Sequence, residues 1–210
     1  MKLYLSIFLS CLFVLQISAQ SNMNAKSYIG VRGGANIANL TNTHGDAITD
    51  FYVGGLVTIK ATPMFHVQFE VDYSRQGAKN VLERNNRDMY ALVKPFYETD
   101  IKVDYVDFKI LSKFQLKDVN LVIGGGGGIL LNTNKEKYND VDVLFVLGIG
   151  YDITKKIGVE ARWKHGLKTI NKTAYKFSNS YKSEQDIVYS YYYRDNIRNN
   201  VFQLGVYYKF

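Results

Sequence analysis

The sequence predicts an all-β fold, an eight-stranded antiparallel up-and-down transmembrane β-barrel. Three observations predict it. From Tyr28 onward the hydrophobic pattern has a period of two, which fits strands and no helix. The alternating stretches run about ten residues, the length a tilted strand needs to cross a bilayer, where a globular strand averages ~5–6. The joins between stretches alternate strictly between short and long.

The first residues stand apart. Lys2 gives a positive start, Leu3 to Ile17 is a nearly continuous apolar run, and Ser18-Ala19 supplies a small-residue end. This layout predicts a secretory signal peptide over residues 1–19, followed by a short segment over 20–27 and a barrel domain over 28–210. An uncleaved membrane helix is the competing reading, but the run falls short of the ~20 residues a spanning helix needs. The single cysteine, Cys11, lies inside this run. A lipid anchor at Cys11 fits poorly, because the apolar run continues through Leu12, Phe13, Val14 and Leu15. A chain cleaved after Ala19 has no cysteine, which excludes disulfides, thiol nucleophiles and cysteine metal sites together.

The strands follow in order: Tyr28–Ile37, Phe51–Lys60, Phe65–Ser74, Val103–Phe114, Val119–Leu130, Val141–Asp152, Lys156–Gly166 and Asn199–Phe210. The third shows the alternation best. Phe65, Val67, Phe69, Val71 and Tyr73 share one face, and His66, Gln68, Glu70, Asp72 and Ser74 share the other. The last repeats it, with Phe202, Leu204, Val206, Tyr208 and Phe210 set against Gln203, Gly205, Tyr207 and Lys209. The short joins are Ala61 to Met64, Gln115 to Asp118 and Ile153 to Lys155. The long ones are Ala38 to Asp50, Arg75 to Lys102, Leu131 to Asp140 and Leu167 to Arg198. An up-and-down barrel places all the long joins on one rim, with both termini on the other.

No later segment reads as a spanning helix. The longest apolar run, Leu121 to Leu131, contains five consecutive glycines, and glycine is poor in a helix interior. A chain that meets a bilayer without such a helix must close into a barrel, since open sheet edges cannot be satisfied in lipid. The glycine clusters Gly33-Gly34, Gly54-Gly55 and Gly124 to Gly128 fit bends, bulges or close backbone approach in a narrow barrel. No Gly-Lys-Ser/Thr follows the last cluster, so it does not read as a phosphate loop.

Periodicity leaves the direction of the two faces open. A soluble carrier of lipocalin type buries the apolar face inside; a membrane barrel turns it outward. Charges of both signs lie in mid-strand on the polar face, at Arg32, Glu70, Asp72, Asp107, Lys109, Glu160, Arg162 and Lys164. A mixed set of this kind can neutralise itself inside a narrow lumen. Aromatic residues close the apolar faces near strand ends at Phe65, Tyr73, Phe114, Tyr151, Trp163, Phe202 and Phe210, as interfacial girdles do. Both features favour lipid outside, with the eight charged residues as a lumen network. That network reads either as a self-satisfied plug or as a path for ions.

The segments Ile29 to Leu40 and Phe69 to Ala78, the glycine-rich fifth strand, Val159-Glu160-Ala161-Arg162-Trp163 and the closing Phe202 to Phe210 resemble the outer-membrane β-barrel proteins abundant in Bacteroidetes. These are often labelled "porin family" and include PorT-like members. The resemblance spans nearly all of 28–210 and implies a bacterial outer-membrane location. It also implies that the aromatic C-terminus is read by the barrel-insertion machinery. It implies no catalytic residue. The sequence departs from the family in lacking a proline near the fourth strand; Pro95 lies upstream.

Catalysis has little support. His44, His66 and His165 are scattered without metal-ligand spacing, so neither a metal nor a cofactor is expected. An outer-rim hydrolase would need His165 beside a serine such as Ser178, Ser180 or Ser190, and no spacing links them. The last long join is the better functional candidate. Lys176, Tyr181, Tyr189, Tyr191, Tyr192, Tyr193 and Arg194 combine tyrosine contact area with basic charge, suited to lipopolysaccharide, a glycan or an extracellular protein. The alternative is that this stretch only extends the strands. The formal net charge of +7 favours anionic partners, and for an exported chain that means envelope lipid and lipopolysaccharide, not nucleic acid. The leading expectation is a non-enzymatic barrel with a side-chain-filled lumen that acts through its external loops in envelope integrity, adhesion or partner binding. A narrow porin-like channel and a soluble ligand carrier remain as alternatives.

Overall fold

A computed structural model describes residues 27–43, 45–84, 96–134, 139–170 and 197–210. Eight strands close into one antiparallel barrel in sequence order. They are β1 (Tyr28–Leu40), β2 (Asp46–Lys60), β3 (Phe65–Arg84), β4 (Phe96–Leu116), β5 (Val119–Thr133), β6 (Val141–Asp152), β7 (Ile157–Gly166) and β8 (Asn199–Lys209). The seam is the β1–β8 ladder, which runs from Gly30 opposite Lys209 to Leu40 opposite Asn199. Among the described residues no helix is long and apolar enough to cross a membrane.

The short joins use one recurring device. In the β2–β3 turn the Thr62 hydroxyl oxygen accepts from the Phe65 amide at 2.9 Å, and the Thr62 amide donates to the Phe65 carbonyl at 2.9 Å. The β6–β7 turn repeats both bonds between Thr154 and Ile157. A threonine hydroxyl thus stands in for backbone at each corner. The β4–β5 turn is tighter than the sequence suggests. Leu116 pairs directly with Val119, so only Lys117 and Asp118 make the corner, with Lys117 at φ 55°.

The strand centres fall where the period-two pattern predicts, but several outer ends do not. β1 continues to Leu40, β2 begins at Asp46, and β5 runs to Thr133. The largest differences are in β3 and β4. The sequence ends the third strand at Ser74 and starts the fourth at Val103, whereas the ladder carries on from Arg75 opposite Asp104 to Arg84 opposite Phe96. Much of the expected long join from Arg75 to Lys102 is therefore a two-stranded arm. A register shift between Ala78 and Val81, with Gly77 at φ 146° and Asn80 at φ 53°, bends β3 there. A bulge of this kind breaks the alternation that marks a strand.

The two faces separate over most of the lower and middle barrel. Ile29, Val31, Val57, Val71, Phe108, Ile110, Ile149, Val159, Leu204 and Val206 are exposed on the outside. Glu70 and Arg162 are only 2% and 3% exposed inside. Aromatic side chains border the apolar band on both edges. Phe65 packs on Phe114 and Tyr208 on Phe210 at the short-turn edge; Phe51 packs on Tyr73 and Phe145 on Trp163 at the other. From Phe65 to Tyr73 the height along the axis is about 20 Å, at ~3.3 Å per residue and a tilt near ~40°.

Candidate functional site

The centre of the lumen is an ion-pair network. Arg32 on β1 donates through Nη1 to Glu70 Oε2 (3.0 Å) and to Asp72 on β3, and through Nε to Glu160 Oε1 on β7 (2.8 Å). Arg162 on β7 contacts both Glu70 oxygens at 2.7 and 2.8 Å, and its Nη2 lies 2.8 Å from Glu160 Oε2. Lys109 on β4 reaches Glu70 Oε2 at 2.9 Å and also Asp72. Lys164 pairs with Asp107 at 2.6 Å. All eight sequence-predicted charged residues thus lie inside, none more than 6% exposed. Four cations, Arg32, Lys109, Arg162 and Lys164, meet four carboxylates, Glu70, Asp72, Asp107 and Glu160. The set carries no net charge. Buried ions persist on such terms, since each is paired and hydrogen-bonded.

Neutral side chains complete this layer; the sequence places Gln68, Ser74 and Gln203 on the polar face but does not single out Tyr52, Thr58 or Asn36. The Tyr52 hydroxyl donates to Glu160 Oε1 at 2.9 Å, and its ring lies 4.6 Å from the Arg32 guanidinium carbon. Gln68 donates to Glu70 at 2.5 Å and accepts from Thr58 at 3.0 Å. Above them Asn36 Nδ2 donates to Ser74 at 2.9 Å, and Asn36 Oδ1 accepts from Gln203 at 2.8 Å. Parity would have found the missed ones: Tyr52 and Asn36 sit an even number of residues from a glycine or charged position facing the axis.

The glycines explain how so many long side chains fit. Arg32 and Asp72 both pair across the ladder with Gly54, Lys109 with Gly126, Asp107 with Gly128, and Arg162 with Gly148. A Cβ at Gly128 would come 2.8 Å from Asp107 Oδ1, and one at Gly148 would come 2.6 Å from Arg162 Cγ. Each large ion is thus seated beside an absent side chain, the small–large alternation a narrow barrel requires.

The lumen changes character toward the long-join end. Leu40, Ala78, Val81, Ile101, Val103, Tyr105 and Ile170 form a buried apolar cluster, with Leu130 and Ile197 against it. On β4 this reverses the sense of the alternation, for Val103 and Tyr105 face inward while Lys102 is exposed. Beyond the lipid band the outside is water and the interior is the only apolar refuge. The bases of the last long join are tied across this cap. The Ile170 amide donates to the Ile197 carbonyl at 2.9 Å, and the Asn139 amide donates to the Ile170 carbonyl at 2.7 Å. A second inward apolar cluster, Leu111, Val122 and Val146, lies lower on β4–β6 and also departs from the expectation that oily side chains point out.

The remaining sequence candidates divide. His165 lies on the outer wall with its ring stacked on Trp163 at 5.5 Å. Lys176, Tyr181, Tyr189, Tyr191, Tyr192, Tyr193 and Arg194, like His44 and the serines weighed as partners for His165, lie outside the described residues. No group of three or more metal-ligating side chains gathers among the described residues.

An apolar belt between aromatic girdles around a charged lumen defines a membrane-spanning β-barrel of the outer-membrane type. The chain belongs to the outer membrane protein beta-barrel domain family, whose model matches residues 7–210, and it is a protein of the bacterial outer membrane. No curated protein sequence matches it. Among solved structures, Neisserial surface protein A is similar at TM-score 0.49 and 14% identity, over 90% of this chain and 100% of that one. Ail of Yersinia pestis, solved with the heparin analogue sucrose octasulfate, is similar at 0.48 and 11% identity, over 88% and 99%. Outer membrane protein W of E. coli gives 0.41 and 12%, over 90% and 100%.

Proposed function

We propose that the protein is a non-conducting, non-enzymatic envelope barrel whose work is done by the surface that its long joins carry, in envelope integrity, adhesion or partner binding. The observation that carries this reading is the lumen itself. Its middle holds eight mutually neutralising buried ions, and its long-join end holds the buried apolar cluster from Leu40 to Ile170. An eight-stranded barrel has room for its own side chains and little more. The β3–β4 arm fits the same role. Past the girdle at Tyr73 it extends β3 by roughly 25 Å to Arg84, which carries chain well clear of the lipid.

On this proposal residues 1–19 are a cleaved leader, 20–27 a short lead-in, and both termini are periplasmic with the long joins external. Lipid and lipopolysaccharide surround the wall. The terminal strand with Phe210 is the element the insertion machinery reads. Lys176, Tyr181, Tyr189, Tyr191, Tyr192, Tyr193 and Arg194 are the surface offered to a glycan or protein. The test is single-channel recording of the purified barrel in planar bilayers. No steady openings are expected. Steady openings that vanish when Glu70 or Arg162 is replaced would select a narrow channel instead.

A further inference from the structure

The short-turn mouth of the lumen is built differently from its centre. Lys60 on β2, His66 on β3 and Lys113 on β4 occupy one row across three neighbouring strands, since His66 pairs with both lysines. Lys209 on β8 closes the ring from the other side. Two tyrosines lie between them. The Tyr28 ring has Lys60 Nζ at 5.6 Å and Lys209 Nζ at 5.5 Å, and the Tyr207 ring has Lys209 Nζ at 5.3 Å and Lys113 Nζ at 5.2 Å. The carboxylate of this layer is Asp152. It already accepts from Lys209 at 2.7 Å, from Gln115 at 3.1 Å and from the Tyr207 hydroxyl.

Lys113 is left without an ion-pair partner among the described residues. It is 3% exposed, and its ammonium meets only the Tyr28 hydroxyl at 3.4 Å and the Tyr207 ring. His66 beside it is 4% exposed, and its Nδ1 is buried with no hydrogen-bond partner. A buried ammonium held by a phenol and a ring face is costly in itself. Among the described side chains of this layer, three ammoniums face one carboxylate. The flanking turns add Lys117, Lys155 and Lys156 against Asp118, so the field at this mouth draws anions.

We propose that this tyrosine-lined mouth is a binding site for a phosphate group, with Lys113 and His66 at its floor and Lys60 and Lys209 at its lip. A phosphate carries about −1.5 to −2 charge and several acceptor oxygens, which matches the excess of the layer. Lysines bind it as point charges and need no fork geometry. The group can arrive on a phospholipid headgroup of the facing leaflet or as free phosphate. The site is independent of whether the lumen conducts.

The full chain, refolded in zwitterionic micelles at physiological salt, is titrated with inorganic phosphate and separately with dihexanoyl phosphatidic acid. The readouts are calorimetry and the ring-nitrogen resonances of His66. Saturable binding is expected, with a shift at His66 and at least tenfold weakening in Lys113→Met and in Lys60→Gln. Lys60 is exposed, so its variant is expected to fold even if the Lys113 variant does not. Binding of phosphate alone, or of the lipid alone, identifies the source. Absence of saturable binding for both probes, or equal affinity in wild type and Lys60→Gln, would overturn the site.

Discussion

Lys109 and Lys113 stand four residues apart on the same inward face of β4, both almost fully buried, and they belong to two differently built regions of the lumen. Lys109 sits in the central layer, against two carboxylates and across from the space that Gly126 leaves. Lys113 sits in the short-turn layer, against a phenol and an aromatic face. Burial is the same and compensation is not. The centre is organised for self-sufficiency: every charge there has a partner supplied by another strand. The mouth keeps a positive excess that no side chain among the described residues answers. In a barrel too narrow for a wide pore, such an excess is stability given up in exchange for something to bind.

The largest effect that tests this contrast is Glu70→Leu. It strands Arg32, Lys109 and Arg162 around one lost carboxylate, and breaking a buried ion pair from one side costs about 3–5 kcal/mol. Unfolding in urea from lipid vesicles, followed by the fluorescence of Trp163, the sole tryptophan, is expected to show that loss or a failure to insert. Lys109→Met is smaller, about 2 kcal/mol, because Glu70 and Asp72 keep Arg32 and Glu70 also keeps Arg162. Lys113→Met is smallest and differs in sign. Replacing an uncompensated buried ammonium with an apolar chain of similar length is expected to be neutral or to stabilise by up to about 1 kcal/mol in the same assay. Equal destabilisation by Lys109→Met and Lys113→Met would erase the distinction between the two regions.

Much of this was legible before any coordinates. Fixed parity in β3, β7 and β8 placed Glu70, Asp72, Glu160 and Arg162 on one face, and the mixed signs pointed that face inward. Three kinds of fact were hidden. The first is where strands end. Gly77 and Asn80 bulge β3 just past Ser74, so the alternation lapses while the ladder does not. The second is the meaning of an apolar residue. Phe108 is oily because lipid surrounds it, and Val103 is oily because, above the lipid, the lumen is the dry side. A single pattern read along β4 cannot distinguish these. The pairing of Arg32 with Glu160, 128 residues apart, was beyond reach as well, because it depends on β1 and β7 both flanking β8. The residues of the last long join named as a contact surface are outside what the structure describes.

The seam between β1 and β8 has a consequence for the order in which this molecule can form. The amide of Phe210 donates to the carbonyl of Ile29, so the ladder that seals the barrel joins the first strand to the eighth. Until it forms, both terminal strands present raw hydrogen-bonding edges, and no partial product is a smaller version of the whole. Ring closure makes the pathway all-or-none and slow, since its decisive contacts join opposite ends of the polypeptide. Removing the whole of β8 should therefore not trim the cylinder but leave β1 and β7 with unpaired edges, which a bilayer does not accept.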